Sequence, residues 1–139
     1  MNLTQEEQIK NKILARLDII QTSISLSPQI SQSINLIIDC LKKGNKIILF
    51  GNGGSAADAQ HIAAEFIGRF NINRESLPAI ALTSNSSTIT ALANDFSFDT
   101  IFSRQCESLV SKGDIAIGIS TSGNSINVEK AITTCKNKG

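Results

Sequence analysis

The 139 residues contain no tryptophan and no tyrosine, and six phenylalanines are the only aromatic rings. Platforms on which nucleic-acid bases could stack are therefore scarce. Neither sign of charge dominates: 13 Lys and Arg stand against 12 Asp and Glu. No basic footprint for nucleic acid or an anionic membrane results. No stretch approaches the roughly eighteen uninterrupted apolar residues of a membrane span. The opening "MNLTQEEQIKNK" also lacks the apolar centre of a signal peptide. Cysteine is sparse as well. Cys40, Cys106 and Cys135 are scattered and odd in number, which suits neither a disulfide framework nor a CxxC metal site. They read as reduced, packing thiols of a cytosolic protein.

What is present is a change of rhythm along the chain. From Thr4 to Leu26, Ile9, Ile13, Leu17, Ile20 and Ile24 recur at helical spacing. Ser27 and Pro28 suit the cap and first position of a second helix, which reaches Lys43 and ends at Gly44. Residues 1–44 thus form a helical pair that serves packing or oligomerisation. Beyond them, short apolar runs alternate with helical segments. "KIILF" (Lys46–Phe50), "PAIAL" (Pro78–Leu82) and "DIAIGIS" (Asp114–Ser120) read as strands covered on both faces. Helices are expected near Ser55–Gly68, after "TSNSS", at Thr100–Ser111 and at Asn124–Lys138. The class is α/β, a three-layer sandwich with a central parallel sheet. A further strand is expected after the last helix, so residues 1–139 are read as one domain whose C-terminal strands and helix lie beyond them.

Two turns carry the chemistry. "GNGGSA" satisfies a G-x-G-x-x-G/A spacing through Gly51, Gly53 and Ala56. A dinucleotide site also needs a carboxylate at the end of the second strand, where this chain has Thr83-Ser84-Asn85. No G-x-x-x-x-G-K-[ST] occurs, which excludes a P-loop. The second turn, "ISTSGNS", offers hydroxyls at Ser120, Thr121, Ser122 and Ser125 at the start of a helix. Hydroxyls, backbone N–H groups and the helix dipole can hold a phosphate without lysine or arginine. A simple N-cap would use one hydroxyl, and here there are four.

His61 and Glu65 fall at i and i+4 on the helix after the first turn. The pair can supply two metal ligands, or a carboxylate for proton transfer beside an imidazole. A zinc site needs three or four ligands, and His61 is the only histidine. In "ALANDFSFD", Asn94 and Asp95 follow a short helix, with Phe96 and Phe98 available as anchors.

Together, "GNGGSAADAQHIAAEFIGRF", "LANDFSFDTIFSRQ" and "GDIAIGISTSGNSINVEKAI" resemble the phosphoheptose isomerases of the sugar isomerase (SIS) fold, over essentially the whole chain. The resemblance implies a cytosolic homotetramer that converts sedoheptulose 7-phosphate to D-glycero-D-manno-heptose 7-phosphate, towards bacterial heptose for lipopolysaccharide or related glycans. It implies no nucleic-acid or membrane partner. By the same resemblance Ser120, Thr121, Ser122 and Ser125 hold the phosphate. Asn52, Gly53, Gly54, Ser55, Asn94 and Asp95 line the sugar pocket, and Arg69 matches the family's "GR[YF]" arginine. Glu65 matches the catalytic carboxylate, and His61 with Glu65 matches half of a zinc site found in some members. The family's later glutamine and histidine are expected beyond residue 139. Two alternatives share the fold: a regulator resembling the replication-initiator-associating protein, and a module that senses sugar phosphates. The regulator lacks the helix carboxylate and reads "STRGNS", so Glu65 and Ser122 favour the enzyme.

Overall fold

The computed structural model describes residues 3–139. Two compact units are present, one ending at Leu36 and one running from Ile37 to Gly139.

In the first unit, helix α1 spans Gln5–Ser23. Thr4 opens it with a capping box: its hydroxyl accepts from the Glu7 N–H at 3.2 Å, and Glu7 accepts from the Thr4 N–H at 2.7 Å. Two otherwise orphaned donors are thereby satisfied. A single 3-10 turn, Ile24–Leu26, leads directly into α2, Ser27–Lys42. The expected Ser27 cap does not form. Ser27 already has helical dihedrals, and its hydroxyl donates to the Ile24 carbonyl at 2.6 Å. Ile9, Ile13, Leu17 and Ile20 line an exposed apolar groove along α1 with Lys12 and Arg16.

The second unit contains the sheet. Strand β1 is Ile47–Gly51, β2 is Ala79–Ala81 and β3 is Ile115–Ile119. All pairings are parallel in the order β2-β1-β3, with Ile47 opposite both Ala79 and Ile115. As the central strand, β1 is buried throughout, which explains its unbroken apolar run. Its alternation divides two cores. Ile47 and Leu49 pack with Ala79, Ala81, Cys40, Ala59 and Ala63. Ile48 and Phe50 face Ile101, Phe102, Cys106, Val110, Val128 and Ala131.

Helix α3, Gly54–Ile67, covers the first face. Small alanines on both sides let it lie close to the sheet. The second face is covered by α4 (Ser86–Asp95), α5 (Ser103–Leu109) and α6 (Ile126–Lys138). The single helix expected at Thr100–Ser111 is divided: Phe98–Thr100 forms a 3-10 turn, and α5 begins at Ser103. A Cβ at Gly118 would lie 2.7 Å from Val128 Cγ1 and 3.1 Å from Phe50 Cε2. The bare backbone therefore lets α6 settle on β3.

At the opposite end of the strands, Asp114 binds β1 to β3. Its carboxylate accepts from Lys46 Nζ at 2.5 Å, from the Lys46 N–H at 3.0 Å and from the Ser111 N–H at 2.8 Å. Burial alone would raise its pKa, but the Lys46 ammonium and the two backbone donors outweigh it, and the carboxyl sits below its ordinary value. Cys40 and Cys106 are buried, Cys135 is half-buried, and all three are free thiols. Burial pushes each of them up, Cys106 furthest, with the Cys135 thiol adding to the effect. Such thiols pack; they are poor nucleophiles.

Candidate active site

Both glycine-serine turns leave the carboxyl ends of parallel strands, where open α/β sheets place their ligands. In the first, a Cβ at Gly51 would meet the Ile119 carbonyl at 2.7 Å and Ser55 Cβ at 2.8 Å. Glycine is thus required for the start of α3 to tuck against the β1–β3 pair. Gly53 sits at φ +56° as the residue before α3, without a side-chain cap. Ser55 is buried in the first turn, and Gly54 is exposed beside it.

Helix α3 then carries His61 and Glu65 outward. His61 Nε2 lies 3.2 Å from Glu65 Oε1, and the side chains are 75% and 36% exposed. They border a cavity of about 680 Å³ lined also by Asp58, Ile62, Phe66, Phe70, Arg74, Leu77 and Ile119. Arg74, which the sequence reading did not single out, anchors this wall. Its guanidinium donates to the carbonyls of Glu65 at 2.6 Å, Phe66 at 2.8 Å and Glu75 at 2.8 Å. The last turn of α3 is thereby capped by a cation. Arg69 lies exposed past the Gly68 C-cap and is not part of this lining.

Ile119 closes the cavity from β3, and the hydroxyl turn follows immediately. Ser120 Oγ lies 2.9 Å from Ser125 Oγ and 3.4 Å from Ser122 Oγ, and it accepts from the Gly123 N–H at 3.1 Å. Ser122 accepts from the Asn124 N–H at 3.2 Å, and Thr121 is exposed. Ser125 stands at the N-cap of α6 but makes no side-chain cap bond. The first N–H groups of α6 are therefore not taken by the cap hydroxyl. An anion here would meet hydroxyls, backbone donors and the positive end of the helix dipole together.

Asn52 and Ser125 join the two turns in a smaller cleft of about 240 Å³, with Phe98, Asp99, Asn124, Ile126 and Asn127. Asn94 and Asp95 prove to be the last residues of α4 rather than a loop after it, exposed and bonded to each other at 2.8 Å. Neither lines the two cavities. Phe96 and Phe98 are 58% and 57% exposed, so they do not anchor the segment by burial. Phe96 instead lies under the Arg104 guanidinium, 4.5 Å from the ring centroid.

Residues 9–139 match the family model of the SIS domain. A phosphoheptose isomerase of Geobacter sp. (strain M21) is 48% identical over 135 residues, which is 96% of this chain and 70% of that relative. One of Aquifex aeolicus is 58% identical over 80% of this chain and 58% of its own length. The chain belongs to the phosphoheptose isomerase family of SIS-domain proteins. Among solved structures, the family member GmhA from Neisseria gonorrhoeae superposes with a TM-score of 0.89 at 40% identity, covering 97% of this chain and 71% of that one. A phosphoheptose isomerase from Francisella tularensis reaches a TM-score of 0.92 at 34% identity, over 98% and 72%. The chain thus spans about 58% to 72% of these family members. Its fold, three parallel strands between helical layers, preceded in sequence by an N-terminal helical pair, is the family's.

Proposed function

We propose that the chain is an aldose–ketose isomerase converting sedoheptulose 7-phosphate to D-glycero-D-manno-heptose 7-phosphate, towards bacterial heptose for lipopolysaccharide or related glycans. One observation carries the reading: the half-exposed Glu65 carboxylate borders a cavity whose β3 wall runs directly into the hydroxyl turn. Phosphate seats on Ser120, Thr121, Ser122, Ser125 and the start of α6. The sugar then extends past Asn52 and the glycine turn towards Glu65.

Aldose–ketose interconversion moves a proton between adjacent carbons through an enediol. Glu65 takes that proton as general base, and its protonated form returns it. The hydroxyl turn holds the far end of the substrate, so the reacting carbons are presented to one carboxylate. Asn94, Asp95, Arg69, Gly53, Gly54 and Ser55 remain assigned to substrate by family resemblance.

Zinc is proposed at His61 and Glu65. The two donor atoms, 3.2 Å apart and solvent-accessible, suit this ion. Among the described residues no third His, Cys, Asp or Glu joins them, and a zinc site takes three or four ligands. When bound, zinc supplies Lewis acidity to the sugar's carbonyl oxygen.

A homotetramer is proposed on the exposed apolar stripe of α1, Ile9, Ile13, Leu17 and Ile20. Light scattering should return four times the 14.9 kDa chain mass; a monomer overturns this. A cytosolic setting is supported by the three free thiols, and no described helix is long and apolar enough to cross a membrane.

The reading is tested by turnover of sedoheptulose 7-phosphate with Glu65→Gln alongside. The variant is expected to lose at least about 100-fold in kcat while retaining substrate affinity. Equal turnover by both proteins would remove Glu65 from the mechanism. Binding without turnover in wild type would favour the sensing module.

A further inference from the structure

The two turns are joined by one contact that the proposed chemistry does not use. Asn127 Nδ2 donates to Asn52 Oδ1 at 2.9 Å, and Asn52 Nδ2 donates to Asn127 Oδ1 at 2.8 Å. The partners are 75 residues apart in sequence. Asn127 lies in the first turn of α6 and is 3% exposed; Asn52 is half-buried between Gly51 and the glycine pair Gly53-Gly54.

We propose that Asn127 is a positioning residue that acts through Asn52. It holds the Asn52 amide in register with the hydroxyl turn, so that seating a phosphate on α6 also orients a sugar contact on the first turn. The inference rests on the substrate reading above and assigns a residue that reading leaves without a role.

The chemistry of the pair supports this. An amide has two N–H donors and one carbonyl with two lone pairs. The head-to-head pair uses one donor and one lone pair from each side. Asn52 keeps a second N–H and a second lone pair, and it borders the cleft shared with Asn124 and Ser125. An aspartate at 127 offers no donor to the Asn52 carbonyl, and an aliphatic side chain offers nothing. Packing alone does not require the pair, because a buried hydrogen-bonded pair adds little net stability over apolar groups of the same shape. Orientation is what an amide pair adds here. Among the described residues the Asn127 amide is the one side-chain partner of the Asn52 amide.

Two measurements on the 139-residue chain test the proposal. The first needs no ligand: NMR exchange of the Asn52 side-chain NH2 protons. One of them should exchange slowly in wild type and quickly in Asn127→Leu. Asn127→Ala, which also removes the acceptor for the Asn52 N–H, serves if the leucine variant fails to fold. Unchanged exchange overturns the clamp.

The second is a double-mutant cycle on Asn127→Leu and Asn52→Ala, titrating sedoheptulose 7-phosphate and, separately, inorganic phosphate. Asn127→Leu should weaken sugar-phosphate binding roughly tenfold, and inorganic phosphate by less than about twofold. In the Asn52→Ala background it should cost nothing further. Additive losses, or an equal loss for inorganic phosphate, would make Asn127 a structural support of α6 and overturn the inference. Slow wild-type exchange without any sugar-phosphate binding would overturn the functional reading, and with it the substrate role of the pair.

Discussion

The turn after β1 and the turn after β3 occupy equivalent places in the sheet but are built from opposite materials. The first is made of absences: Gly51 leaves room for the Ile119 carbonyl and Ser55, and Gly53 adopts a left-handed φ that side chains resist. The second is made of donors, with Ser120, Ser122 and Ser125 already bonded among themselves. One turn brings a helix close; the other gives that closeness something to bind with. Strand-to-helix turns at one edge of a sheet can therefore divide the work of a site, one setting shape and the other affinity.

Substitutions should separate these two kinds of work. The largest effect is expected at Gly51→Val, where the added carbons would press on the Ile119 carbonyl and Ser55. A loss of about 3 kcal/mol of folding stability should appear in urea titration. A variant as stable as wild type would mean that the first turn is not set by space. Ser122→Ala should do the reverse. Phosphate affinity should fall about tenfold or more, the range for losing a hydrogen bond to a charged group, with the melting temperature nearly unchanged. Equal affinity would strip Ser122 of its phosphate role.

The smallest effect is expected at the far end of the sheet. The folded carboxyl of Asp114 titrates below its ordinary value, so its contribution is complete above that ordinary value. It is lost as pH falls through the lowered one. Denaturation midpoints should drop in acid across that window, and Asp114→Asn should flatten the drop. An unchanged pH profile in the variant would show that the Lys46 contact carries no pH-linked stability.

Strands and turns were legible in the sequence because their causes are local. Ile47–Phe50 is apolar at every position since both faces are covered, and Gly44 closes α2 at φ +77° as a C-terminal glycine should. The His61–Glu65 pair followed from helical spacing alone. Long-range causes left no such trace. Nothing near Asn127 reveals that its partner is Asn52, and nothing near Arg74 announces that it caps a helix ended several residues earlier. Ser27 misled for the opposite reason. A Ser-Pro pair suits a helix start, yet a 3-10 turn already carried the backbone through helical angles, and the serine hydroxyl turns back to the Ile24 carbonyl rather than forward to the helix.

Gly118 sets a height. Val128 and Ile132 of α6 lean into the space where its side chain would stand, 2.7 Å and 3.4 Å from the missing carbon. A methyl group there would act as a shim under the helix, lifting its first turn away from β3. That turn carries both Asn127 and the N–H groups offered to an anion. The elevation of the whole phosphate seat above the sheet, and its reach towards the neighbouring turn, is thus calibrated by one carbon that the chain omits.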